Sequence, residues 1–165
     1  MALPCSIKAP EFRLKSTTGK PVILSEVLKR GPVVLAFFKV SCPVCQYAFP
    51  YLERMSQVHK PEPVSFIGIS QDSPADTEAF LQKYGVSFTV ALDDSKRYVV
   101  SNAYKLTNVP TVYLVDRDGE IEVSSVGWSR KEIEEINLKL SMMDPGQQQH
   151  PIFRPGEEIA EYKPG

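Results

Sequence analysis

Two stretches of the chain are apolar almost without interruption: "PVVLAFFKV" from Pro32 and "VSFIGIS" from Val64. Each has the length of a strand, and a run with no polar face suits a strand buried on both sides of a largely parallel sheet. Between and after them the period lengthens. Cys45, Ala48, Phe49, Leu52 and Met55 form one stripe at helical spacing. "SPADTEAFLQKYG" reads as a helix with Ser73 as cap, Pro74 in its first position and Gly85 closing it. "SRKEIEEINLKLSMM" is a last amphipathic helix, with Ile133, Ile136, Leu140 and Met143 on one face.

The remaining segments complete an alternating order. Glu11–Leu24 predicts a short hairpin turned at Thr18-Gly19-Lys20, and "SEVLKR" a short helix opened by Ser25 and stopped by Gly31-Pro32. "FTVALDD" reads as a strand, and "SKRYVVSNAYKL" as a helix. "PTVYLVDRDGEIEVSSVG" is a second hairpin with Asp118-Gly119 at its turn. Strand and helix in alternation, with a late hairpin and a terminal helix, predict a three-layer α/β sandwich. It spans residues 1–143. From Asp144 the periodicity stops: residues 144–165 hold four prolines and three glycines. They predict an extended tail, mobile or draped over the domain, with Ile152, Phe153, Ile159 and Tyr162 available to dock on an apolar groove or a second subunit.

Composition narrows the function. At 165 residues, 42% hydrophobic and 24% charged, the chain fits one domain with a real core. A net charge of -1 with no basic block argues against nucleic acid. No stretch reaches the ~20 apolar residues of a membrane span. The start, "MALPCSIKAPEF", lacks the pattern of a secretory signal, so a cytoplasmic location is expected. Three cysteines do not make a secreted disulfide scaffold. Cys42 and Cys45 pair by proximity, which leaves Cys5 as an incidental thiol.

Cys42-Pro43-Val44-Cys45 stands where the apolar strand gives way to the helical stripe. One turn apart on one helix face, the two sulfurs can meet in a small disulfide ring. Cys42 falls at the helix N-terminus, where free N–H groups and the macrodipole favour a thiolate. Cys45 sits a turn deeper and keeps its proton longer. That asymmetry, an exposed attacker and a buried resolver, is what thiol–disulfide exchange needs. Pro43 restricts the turn between them. Two inert buried thiols, or half of a zinc site, are the alternatives; for zinc only Cys5, His59 and His150 remain as further ligands, and they are scattered. His59 is expected to face solvent at its helix end, and Trp128 to pack the second hairpin against the last helix.

These features together resemble a thioredoxin-fold protein of the TlpA/ResA-like or redoxin (AhpC/TSA-like) type. The residues that carry the resemblance are "APEF", the strand before Cys42-Pro43-Val44-Cys45, Pro50 five residues after the second cysteine, and "NVPTVYLVDRDGEI". It implies a thioredoxin-like sandwich with a mixed sheet and an N-terminal hairpin extension. It also implies a cis Val109-Pro110 bond beside the cysteines, with Pro43, Val44, Val109 and Pro110 shaping the substrate groove. Pro50 is expected to kink its helix. The function implied is a thiol–disulfide oxidoreductase that needs no organic cofactor and no metal. Its partners would be a disulfide-containing protein or small thiol and a redox partner.

Three departures stand out. Ser41 replaces the aromatic residue common before the first cysteine, and Ala36 replaces the buried acid of thioredoxins proper. Lys39 is a candidate to hold the Cys42 thiolate electrostatically, or a lysine with no role. Peroxidase activity is the competing reading. It needs a hydroxyl residue three positions before the reactive cysteine and an arginine before the later strand; this chain has Lys39 and "NVPT" there. A metal carrier using the same thiols is the third.

Overall fold

The computed structural model describes residues 1–143, 146 and 150–165. The expected boundary at Asp144 therefore opens on residues outside the described set. Strand β3 (Val33–Phe38) is the centre of the molecule. It pairs in parallel with β4 (Ser65–Ser70), which pairs in parallel with β5 (Thr89–Leu92). On its other side β3 runs antiparallel to β6 (Thr111–Val115), which forms a hairpin with β7 (Ile121–Val126). The N-terminal hairpin, β1 (Arg13–Ser16) and β2 (Pro21–Ile23), joins through β1 to β5. The result is a mixed seven-stranded sheet of order β2-β1-β5-β4-β3-β6-β7.

The unbroken apolar run of β3 follows from this position. Every residue of the strand is buried. Val33, Leu35 and Phe37 face the layer that holds α1 (Leu24–Leu28), α4 (Val99–Ala103) and the N-terminal segment. Val34, Ala36 and Phe38 face the layer of α2 (Pro43–Val58), α3 (Pro74–Tyr84) and α5 (Arg130–Ser141). Phe38 meets the rings of Phe49 and Phe80 at 4.3 and 4.9 Å between centroids, locking α2 and α3 to the sheet.

Caps decide where helices begin. Ser73 accepts the Asp76 N–H and Ser129 the Glu132 N–H, while Gly85 closes α3 in the left-handed conformation. Two helices differ from the sequence expectation. The helix expected from Ser95 is confined to Val99–Ala103. Asp94 takes the N–H groups of Lys96 and Arg97 into a local turn, and Tyr98 is left-handed at φ 50. The short helix that follows is capped from outside by Asp93, which accepts from Val100 N and Ser101 N. Helix α1 starts at Leu24, one residue before its expected cap, because Glu11 reaches across to accept the Ser25 N–H. Helix α2 continues through Pro50.

Gly31 turns the chain into β3 at φ +146, and a Cβ there would stand 1.7 Å from the Pro63 carbonyl oxygen. Backbone must move to admit it. Gly31→Ala is expected to lower unfolding free energy by roughly 2–4 kcal/mol in urea titration.

Residues 150–165 lie against the domain. Ile152 is buried, and its carbonyl accepts from Arg54. Tyr47 Oη accepts the Ala160 N–H, and the Trp128 indole N–H donates to the Ala160 carbonyl at 2.7 Å. Strand β9 (Tyr162–Lys163) then pairs antiparallel with β8 (Trp128–Ser129). This segment adds to one expectation, for Trp128 shares its core with Val123, Ile133 and Ile136 as expected, and corrects another. Trp128 is fully buried, and the rings it meets belong to Tyr47 and Tyr51 of α2 and to Phe153. His59 does not face solvent. It is fully buried, its Nε2 lies 2.6 Å from Asn137 Oδ1, and Asn137 donates in turn to the His150 carbonyl.

Both Arg54 nitrogens Nη1 and Nη2 donate to the Glu157 carboxylate, at 2.8 and 3.1 Å. These bonds hold its pKa at about 2, against an ordinary 4.5. A depressed carboxyl stabilises above its ordinary pKa and loses that contribution as pH falls through the folded one. Acidification from about 4.5 toward 2 is expected to loosen the segment. Amide hydrogen exchange at Ala160 would report it, and Glu157→Gln should remove most of that pH dependence.

Candidate active site

The turn from β3 into α2 sets the position of the first cysteine. Asp72 Oδ2 accepts the Val40 N–H at 2.8 Å, Gln46 Nε2 donates to the Val40 carbonyl, and Cys42 N donates to the Lys39 carbonyl. Three bonds from three directions fix residues 39–42. Cys42 is the N-cap of α2, in extended backbone, and its Sγ accepts the Cys45 N–H at 3.1 Å. The sulfur thus does what a serine oxygen does at other helix starts. Pro43 occupies the first helical position, where its missing N–H costs nothing.

The two thiols differ in surroundings. Cys42 is half-buried; Cys45 is fully buried among Ala48, Phe49 and the β3 side chains of its core layer. Burial pushes the Cys45 thiol far above its ordinary pKa, and its hydrogen bond with Cys42 and the nearby charge of Asp72 push the same way. A hydrogen bond to the Lys39 backbone opposes them. Asp72 was not legible as a site residue, because it follows β4 and only the pairing of β4 with β3 brings it to the turn that carries the cysteines.

Across from Cys42 lies the loop before β6. Val109-Pro110 is cis, as expected. The Cys42 thiol donates to the Val109 carbonyl at 3.4 Å. A cleft of about 520 Å³ opens between the turn and this loop, lined by Cys42, Pro43, Lys39, Gln71, Tyr98 and Val109 among others. The Lys39 ammonium lies 5.3 Å from the centre of the Tyr98 ring. Of the expected groove residues, Val44 packs on the core and Pro110 is buried; neither lines the cleft among the described residues. A second hollow of similar size, between the N-terminal hairpin and α3, contains neither cysteine. Cys5 is exposed and apart from the site. Among the described residues no group of three or more His, Cys, Asp or Glu is arranged to hold a metal.

The family model described as AhpC/TSA matches residues 6–124, which include the whole cysteine turn and the cis-proline loop. The chain belongs to the AhpC/TSA family. Among relatives in this family, it is 31% identical to the thiol-disulfide oxidoreductase ResA of Halalkalibacterium halodurans, over 78% of this chain and 73% of that one. It is 29% identical to ResA of Bacillus subtilis, over 84% of this chain and 75% of that one. A crystal structure of a thiol:disulfide interchange protein DsbE from Chlorobium tepidum, 29% identical, superposes with a TM-score of 0.72 over 82% of this chain and 94% of that one. The AhpC/TSA fold here is the thioredoxin-like sandwich, with the β1–β2 hairpin at the edge of the sheet beyond β5.

Proposed function

We propose that Cys42 attacks a substrate disulfide and that Cys45 resolves the product. The protein is a thiol–disulfide oxidoreductase. The observation that carries the assignment is the pairing of a half-exposed sulfur at a helix N-terminus with a fully buried one a turn behind it. In the reducing direction the Cys42 thiolate forms a bond to one sulfur of the substrate, and the substrate S–S bond breaks. The departing sulfur takes up a proton. Cys45, once deprotonated, attacks the Cys42 sulfur and releases the second substrate thiol. Two electrons pass to the substrate, and the Cys42–Cys45 disulfide remains. The dithiol holds these electrons itself, so the reaction needs no organic cofactor.

Because Cys45 is held protonated by burial, the resolving step is expected to quicken from neutral toward alkaline pH. Rapid-quench measurement of mixed-disulfide decay in the intact chain would check this; a flat profile contradicts it. The Lys39 ammonium beside the cleft supports a preference for substrates with negative charge near the disulfide. Hydrogen peroxide is the competing oxidant. Lys39 stands where a hydroxyl group would polarise it, and no arginine lines the cleft among the described residues. Peroxide consumption is expected to stay far below the rate of disulfide exchange. Rapid second-order peroxide turnover would reverse that ranking.

A further inference from the structure

We infer that residues 162–165 lie where an extended polypeptide substrate would pair with the Val109 loop, and so select small disulfides over protein disulfides. This rests on the assignment of Cys42 as attacker. The observations are independent of the cysteines' chemistry. Gly165 lines the same cleft as Cys42. The Asn108 amide donates to the Gly165 carbonyl at 3.0 Å. A Cβ on Gly165 would stand 2.4 Å from the Val109 carbonyl oxygen, so backbone of the segment lies directly on that group. The same carbonyl accepts the Cys42 thiol.

Upstream, the approach is equally close. A Cβ on Gly127 would be 2.4 Å from the Lys163 carbonyl oxygen, and Lys163 Nζ lies 4.9 Å from the centre of the Tyr47 ring. Pairing of β9 with β8 and the bonds of Ala160 to Tyr47 and Trp128 fix the direction of the segment. A strand adding to a cis-proline loop needs the loop's backbone and a free lane beside it. Here the lane is filled by this chain. The cleft that remains open between Gly165 and the Lys39–Tyr98 side, about 520 Å³ in all, suits a small disulfide. A polypeptide must first displace the segment. If the lane is open about a tenth of the time, the competent fraction falls roughly tenfold.

The test uses the intact, reduced chain in single turnover, with its own dithiol as the only reductant. The probes are 5,5′-dithiobis(2-nitrobenzoate) and insulin, and the readout is the ratio of their rates. Gly165→Val cannot seat its side chain against Val109, and Asn108→Ala loses the amide contact. Each is expected to raise the insulin-to-small-disulfide ratio, by roughly tenfold for Gly165→Val. Faster hydrogen exchange across 162–165 should accompany the rise. An unchanged ratio in Gly165→Val with a displaced segment overturns the inference, as does an unmodified chain that reduces both probes equally fast. If the unmodified chain reduces neither, the assignment of Cys42 fails and this inference fails with it. A good small-disulfide rate with no change of ratio sinks only the role of the segment.

Discussion

A chain carrying Cys45→Ser, mixed with a disulfide substrate, is expected to accumulate a stable adduct on Cys42, one substrate half per molecule. In the parent, Cys45 lies one helical turn behind the attacked sulfur and its N–H already bonds to it. A well-oriented internal nucleophile reaches effective concentrations on the order of 10⁵ M or more, so the mixed disulfide in the parent is short-lived and does not accumulate as a stable product. A serine hydroxyl does not attack a disulfide at neutral pH. The intermediate then stays until an outside thiol removes it. Exposed Cys5 would confuse the mass, so the experiment belongs in a Cys5→Ser background. Tryptic mapping should place the adduct on the Cys42 peptide. Cys42→Ser should give no adduct and should lower insulin or small-disulfide reduction to the uncatalysed background. An adduct on Cys45 in the Cys42→Ser chain, at a comparable rate, would mean that the roles are not divided as the burial indicates.

Trp128→Ala is expected to be the most damaging single change outside the cysteines, at about 3–5 kcal/mol of unfolding free energy. Trp128 is fully buried between α2 and residues 150–165. Its ring packs on Tyr47, Tyr51 and Phe153 at 5.1, 5.3 and 6.1 Å between centroids. Its N–H satisfies the Ala160 carbonyl. The alanine leaves a cavity and an unpaired carbonyl, and both unfasten the segment from the domain. Trp128→Phe keeps most of the burial and loses only the N–H donor, a cost of about 1–3 kcal/mol. Urea unfolding followed by circular dichroism separates the two. The substitutions should also rank in the same order for hydrogen exchange at Ala160. Equal stability for both variants would show that Trp128 is not the fastening point.

What could be read from the chain alone tracks how local each signal is. The strand of Val33–Phe38 and the cap of Ser73 announce themselves in adjacent residues, and both are where they were expected. So does the dithiol turn, because strand, cysteine, proline and helical stripe follow in sequence. The errors come from distant partners. Asp93 caps α4 from the end of β5, Glu11 captures Ser25 from before β1, and the His150 ring packs edge-on against His59. Asp72 acts on Cys45 only because β4 pairs with β3. The seating of Gly165 against Val109 left no trace in the sequence beyond a glycine, since a close backbone approach has no other signature.

The division of labour between the thiols can be measured without any substrate. The native, reduced protein is exposed to iodoacetamide, quenched at intervals, and the extent of alkylation at each cysteine read by fragmenting the peptide that carries both Cys42 and Cys45. The geometry predicts that Cys42 is modified about a hundredfold faster than Cys45, which stays protected until the protein unfolds. Alkylation of Cys45 at the rate of Cys42 in the folded chain would contradict it.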